Sequence, residues 1–326
     1  SLSVAFSCTK GISALLIGML IDDGAIELEK PVANYWPEFA KVSSTLTVSG
    51  LLEHRAGLSA PREDLTFEQA LDHDFVIDRL LNQKPLWEPG TAYEYHAFTF
   101  GTLVNELAKQ VSGMTIGQLL QKRIAEPLGI ECYIGIPKEK TAKVSPLVAL
   151  EPFLPSGAEV GSNRYWLDRA LNLGKAFPAE EIGIAGKGFD SAQCHIAELP
   201  GVNGIFSSHA LAKIWSAAAL ETDGVKLLSD QTRSSMTRLL VHEPSFFGDN
   251  PTPLRGAGVM LHSPNFREFL SDSSFGHDGF GGRVGFADSK HQIGFAFTTN
   301  RLVQGENPHK YWDLVVAELQ KIFAEK

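Results

Sequence analysis

Between Gly11 and Ile21 the chain is apolar almost without a break, and Ile12, Leu15, Leu16, Met19 and Leu20 recur at the three-and-four spacing of a helix face. Asp22-Asp23-Gly24 supplies a stop. The run is the longest apolar stretch, yet it is shorter than the ~20 residues that cross a bilayer. No membrane span is expected, and the helix it predicts must lie inside a protein core with Ser7 at its head. A chain of 326 residues also exceeds the roughly 250–300 at which a single core stops growing, so two lobes are expected.

Beyond this helix, helical pieces are expected over Thr47–Glu53, Phe67–Leu81, Phe98–Val111 and Thr115–Ile124. Phe100, Leu103, Val104, Leu107 and Val111 form one stripe, and Gly113 sits where a helix would end. Pro146 to Gly188 has no sustained period and reads as a long surface excursion. A further helix is expected over Ala210–Leu220, and strands over Gly256–Leu261, Val284–Ala287 and Ile293–Thr298. The last two are joined by the polar turn Asp288-Ser289-Lys290-His291. A final helix carries Trp312, Val315, Leu319, Ile322 and Phe323 on one face. The reading is an α/β (α+β) chain, with residues 1–24 and 201–326 forming a sheet lobe and residues 25–200 a mainly helical one.

A formal charge of −9, with no Lys/Arg-rich run, opposes a phosphate backbone, so nucleic acid is not expected as a partner. Three cysteines, Cys8, Cys132 and Cys194, lack Cys-x-x-Cys spacing, which suggests neither a disulfide framework nor a zinc cage and favours a cytoplasmic setting. No pair of histidines has metal-binding helical spacing with an intervening acid, and Asp72-His73-Asp74 is isolated, so no metal or other cofactor is expected. Gly201-Val202-Asn203-Gly204 lacks the lysine and preceding strand of a phosphate loop.

Three segments carry chemistry. In Ser7-Cys8-Thr9-Lys10 the serine and lysine, three apart at a helix start, project from one side. A lysine removes a serine proton only if desolvation or nearby positive charge holds it neutral, and the apolar stripe that follows provides burial. Trp87-Glu88-Pro89-Gly90 turns the chain so that Tyr95 arrives just before the helix at Phe98, where a phenol can pass a proton to a leaving group. Phe275-Gly276-His277-Asp278-Gly279-Phe280-Gly281-Gly282 is rich in glycine, which lets a backbone come close to a ligand and offer its N–H groups. Each segment alone also fits a capping serine, a half-buried tyrosine or a plain turn.

Together the three segments resemble the serine beta-lactamase and penicillin-binding protein superfamily, in particular its class C-like branch with family VIII carboxylesterases and D-amino-acid peptidases. Leu51-Leu52-Glu53-His54-Arg55-Ala56-Gly57-Leu58, Glu126-Pro127-Leu128-Gly129-Ile130, Gly281-Gly282-Arg283-Val284-Gly285-Phe286-Ala287-Asp288 and Thr299-Asn300-Arg301 fall in that family's order. The resemblance implies a beta-lactamase-like two-lobed fold, an antiparallel sheet flanked by helices plus a helical lobe, with the site between. It makes Ser7 the acylated nucleophile, Lys10 its base and Tyr95 the proton-transfer partner. His277 and Gly279 match the third motif, and the amides of Ser7 and Phe280 would form the oxyanion hole.

Two departures bear on substrate. The second motif reads Tyr95-His96-Ala97 where the family commonly has Tyr-x-Asn, so an amide for the acyl side chain is missing. His96 is expected to line the cleft and help the water that releases the acyl group. His277 stands where a lysine is common and titrates near ~6.5 when unperturbed, which leaves less positive charge for a substrate carboxylate. Both push toward small neutral esters. A D-aminopeptidase or DD-peptidase, a beta-lactamase, and a non-catalytic penicillin-binding-like scaffold are the alternatives; the oligomeric state is not legible. Family members normally have a helix and two strands ahead of the Ser-x-x-Lys helix, so a preceding segment of the full protein is expected to be missing from this sequence.

Overall fold

In the computed structural model, which describes residues 1–248, 252–264, 266–304 and 307–324, the apolar run forms a helix as its pattern requires. A two-residue strand β1 (Ser3–Val4) leads into α1 (Cys8–Asp22), in which every residue from Cys8 to Leu20 is buried. With no polar face to offer water, this helix is the centre about which the rest is laid. Each fully buried Leu or Ile on it contributes roughly 1.5–3 kcal/mol.

Mostly short helices follow, several of them opened by a capping side chain. In α2 (Val48–Leu52), Thr47 accepts from Gly50 N. The helix expected over Phe67–Leu81 is two, α3 (Phe67–Leu71) and α4 (His73–Asn82). Asp72 interrupts it by leaving helical geometry, and its carboxylate accepts from Phe75 N at 3.1 Å, which starts α4. The striped segment is α5 (Thr99–Ser112), and Gly113 ends it in the left-handed conformation. After it come α6 (Ile116–Leu120), which runs on through a π-turn to Ala125, and α7 (Glu126–Leu128). The excursion over Pro146 to Gly188 holds a helix that aperiodicity concealed, α8 (Asn163–Asn172), capped by Ser162. Next is α9 (Ala192–Ile196).

Strand β2 (Ile205–Phe206) pairs antiparallel with β1. It leads to α10 (Ser208–Ala219) and α11 (Asp230–Met236). The main sheet is antiparallel in the order β3 (Met260–Leu261), β4 (Ser274–Gly279), β5 (Arg283–Asp288) and β6 (Ile293–Phe297). The strand expected over Gly256–Leu261 is only its last two residues, because Gly256 N bonds Val259 O in a tight turn. Helix α10 packs on β5 and β6, while α12 (Lys310–Ala324) sets Trp312 and Val316 against Phe269 and Phe286. The fold is thus mixed helix and antiparallel sheet. No described helix is long and apolar enough to cross a membrane.

Candidate active site

Ser7 stands at the N-terminus of α1 in helical geometry, immediately after Phe6, whose φ of 46° is rare for a residue with a side chain. The reversal at Phe6 is held by Thr9, whose N and Oγ1 both donate to Phe6 O, at 3.0 and 2.5 Å. Gly279, at the end of β4, makes a close approach that a side chain would prevent, since a Cβ there would lie 2.3 Å from Ala5 O. This contact brings the turn after β4 beside Ser7.

Lys10, one turn into α1, is fully buried. Its Nζ lies 3.2 Å from Ser7 Oγ and donates to Ala97 O at 2.6 Å and Gly201 O at 2.7 Å. The second carbonyl is in reach because α5 carries glycine at position 101, where a Cβ would meet Gly201 N at 2.2 Å. Burial pushes the Lys10 amine well below its ordinary value, and the Arg255 guanidinium adds to this by repulsion. A neutral amine has two N–H bonds and one lone pair. Two carbonyls take the hydrogens, and the remaining direction faces Ser7 Oγ.

The phenol of Tyr95 neighbours the Ser7 side chain, and Lys10 Nζ lies 4.8 Å from the centre of its ring. Desolvation raises the phenol above its ordinary range, so it holds its proton at neutral pH. Glu94 fixes the approach. Its carboxylate accepts from Tyr95 N at 3.0 Å, Phe247 N at 2.9 Å and Ser245 Oγ at 2.5 Å, which staples the Tyr95 loop to the 245–247 segment.

On the other wall, His277 is buried in β4. Its Nδ1 donates to Asp278 O at 2.7 Å, and Arg255 Nη1 lies 3.4 Å from Nε2. Burial, with Arg255 beside it, lowers the imidazole to about 3, so it is neutral. Arg255 is itself buried, donates from Nε to the Tyr93 hydroxyl at 3.1 Å and lies 5.0 Å from the Tyr95 ring. No carboxylate among the described residues forms an ion pair with it. The shortage of positive charge expected from His277 is therefore made good by a neighbour. Arg283, wholly buried and lowered to about 10 by that burial, donates to Val4 O and Phe280 O, both at 2.9 Å. It ties β1, just ahead of Ser7, to the turn that carries Phe280.

Ser7 lines two cavities. One, of about 780 Å³, is walled by Phe6, Phe177, Phe189, Val202 and Phe280. The other, of about 800 Å³, is bordered by Tyr95, Glu94, Arg255, Asp278, Gly279 and Phe280.

Along the chain that holds this cleft, the Beta-lactamase family profile matches residues 1–319. The chain belongs to the Beta-lactamase family. The esterase/beta-lactamase LipL of Mycobacterium tuberculosis is 32% identical over 93% of this chain and 70% of its own length. Among solved structures, a family VIII carboxylesterase superposes with a TM-score of 0.83 at 28% identity, over 98% of this chain and 84% of the other. EstA from Arthrobacter nitroguajacolicus Rue61a gives 0.85 at 27%, over 100% and 85%. A penicillin-binding protein homologue from Caulobacter crescentus gives 0.79 at 30%, over 93% and 78%.

Within this beta-lactamase-family cleft the expected residues divide. Ser7, Lys10 and Tyr95 converge, Gly279 and Phe280 border the cavities, and His277 stands behind Arg255. His96 does not take up its expected place: its imidazole is buried, Nδ1 donates to Glu94 O at 2.6 Å, and Nε2 accepts from Leu58 N at 3.2 Å. Both ring nitrogens are committed to backbone, so His96 braces the loop and lines neither cavity. Cys8 faces the packed interior, where burial raises its thiol and keeps it inert. His73, Asp74 and Glu106 do cluster, but Lys109 Nζ lies 3.1 Å from Glu106 and 3.4 Å from Asp74, so an ammonium already pairs with both carboxylates. Arg255, Glu94 and Arg283 were missed. Only Arg283 had a signal, its place in the Gly281-Gly282-Arg283 stretch.

Proposed function

We propose that this protein is a serine hydrolase of esterase type that forms an acyl-enzyme on Ser7. The observation that carries the reading is one oxygen, Ser7 Oγ, in reach of an amine held neutral and a phenol held protonated, at the junction of two cavities. Opposite shifts of two neighbouring groups assign their roles. Lys10 is the base and Tyr95 the acid.

As Ser7 Oγ bonds to the carbonyl carbon, its proton passes to the Lys10 lone pair, and the carbonyl π pair moves onto oxygen. The Ser7 and Phe280 amides hold that oxyanion. On collapse the bond to the leaving oxygen breaks, and that oxygen takes the Tyr95 proton. Lys10 then returns its proton to Tyr95, which restores the neutral amine and the protonated phenol. Water repeats the sequence on the acyl-enzyme, so ester and water become acid and alcohol, and Ser7 is restored.

The names of LipL, the carboxylesterase and EstA support esters as the substrate class. The missing amide at Ala97 points away from beta-lactams. Arg255 favours one further reading, a peptidase of D-amino-acid type, because an unpaired guanidinium suits an anionic leaving group. The three buried, free cysteines fit a cytoplasmic setting.

Turnover of a short p-nitrophenyl ester and of an N-acetyl-D-alanyl-D-alanine dipeptide, by the wild-type chain and by Ser7→Ala, tests this proposal. The ester is expected to be the better substrate, and Ser7→Ala to lose roughly 10³-fold or more. Preference for the dipeptide selects the peptidase, and full ester turnover by Ser7→Ala removes the mechanism.

A further inference from the structure

Two cavities meet at Ser7, the first walled by Phe6, Phe177 and Phe189 and the second bordered by Tyr95 and Arg255, and the proposed mechanism decides which half of a substrate enters each. Ser7, Phe153, Leu154, Leu171 and Phe280 line both, and the Phe153 and Phe280 rings, 5.2 Å apart, form the partition. Tyr95 and Arg255 border only the second cavity. A leaving oxygen must face its proton donor, so the alcohol half lies on the Tyr95 side. The oxyanion points at the Ser7 and Phe280 amides. The direction left to the acyl substituent is the first cavity.

That cavity has an aromatic wall that suits an apolar group. Phe189 stacks edge-on against Phe6 at 4.8 Å and lies 4.7 Å from Phe177, giving a rigid aromatic wall. Five of its six charged members engage one another, Asp64 pairing with Arg169 at 2.5 Å and Lys175 at 3.0 Å and Arg164 with Asp168 at 2.9 Å, while the sixth, Glu180, is exposed. At the mouth, Leu154, Val160 and Leu171 are 80%, 81% and 58% exposed, so the apolar track continues to the surface. A volume of about 780 Å³ is far more than an acetyl group fills, and unfilled apolar volume yields no binding energy.

We infer that this protein selects its substrates on the acyl side, taking esters of bulky or medium-chain apolar acids in the aromatic-walled cavity while the alcohol lies in the cavity that Tyr95 borders. The inference rests on the Ser7 acyl-enzyme reading of the preceding subsection, and it goes further by naming the acid and the orientation.

Ethyl octanoate and octyl acetate are constitutional isomers that place the same chain on opposite sides of the ester. Their kcat/KM values, followed by pH-stat titration, read the orientation directly. Ethyl octanoate is expected to exceed octyl acetate by about tenfold or more; equality or reversal overturns the inference. Ala179→Trp, which fills the first cavity from its half-buried wall, is expected to lower that ratio toward one, and an unchanged ratio in the folded variant counts against it. Ala158→Trp, on a loop of the same cavity, serves where Ala179→Trp does not fold. Labelling of Ser7 by a fluorophosphonate separates the two claims. With no label the acyl-enzyme reading itself fails, whereas a label with the inverted ratio removes only the acyl-side selectivity.

Discussion

Lys10 works through what surrounds its nitrogen. Two carbonyls accept its hydrogens, burial disfavours its charge, and Arg255 repels it. The sign of the pH response follows. Lys10 must be neutral to accept the Ser7 proton, so kcat/KM falls as pH drops through its depressed pKa. Replacing Arg255 by Met removes one cause of that depression. The acid limb of the profile measured with a neutral ester is expected to move to higher pH, and a limb that stays or moves down contradicts the assignment. Lys10→Arg keeps a cation that does not deprotonate, so turnover is expected to fall by about 10²–10⁴-fold, measured as steady-state kcat; near-normal kcat would take the base role from Lys10.

Among the elements, β4, β5 and β6 carry the third segment, and Asp288 locks their far end. It is buried and accepts from Ser271 Oγ at 2.5 Å, Ser274 Oγ at 2.6 Å and His291 N at 2.8 Å. Burial pushes its carboxyl up, but these hydrogen bonds together outweigh it and leave the pKa below the usual 3.8. With a depressed folded pKa, the contribution is complete above the unfolded value and is lost as pH falls through the folded one. Asp288→Ala is expected to cost about 2–3 kcal/mol in urea unfolding near neutral pH, and a loss below measurement error would show the serine cluster to be incidental. What was legible at this scale is what is local. Ser7 and Lys10 share one helix face, Tyr95 directly precedes α5, and β5 and β6 keep their apolar runs. Strand β4 hid behind the glycines and polar residues of Ser274–Gly279, since its identity comes from partners on both sides. Arg255 hid for the same reason: an arginine bridged to Val241 and Met260 gains its meaning only when folding sets it beside His277 and Tyr95.

Across the whole molecule, we propose the division into a sheet lobe of residues 1–24 and 201–326 and a helical lobe of residues 25–200. The apolar core nonetheless runs through both, from Leu15 and Leu16 of α1 to Leu103 and Leu107 of α5 and on to Trp215 and Phe275. Lys10 adds a polar tie, reaching Ala97 in one part and Gly201 in the other. A shared core predicts one cooperative transition, with near- and far-UV circular dichroism melting together; two separated transitions would show lobes that fold independently. The claim on which the function rests is narrower, that acyl groups pass through the Ser7 oxygen. Mass spectrometry of the protein quenched in acid during turnover of a p-nitrophenyl ester, followed by peptide mapping, reads it most directly. The account predicts an added acyl mass on the peptide holding Ser7 and none in Ser7→Ala. Ester turnover with the acyl mass on another residue, or retained in Ser7→Ala, would contradict it.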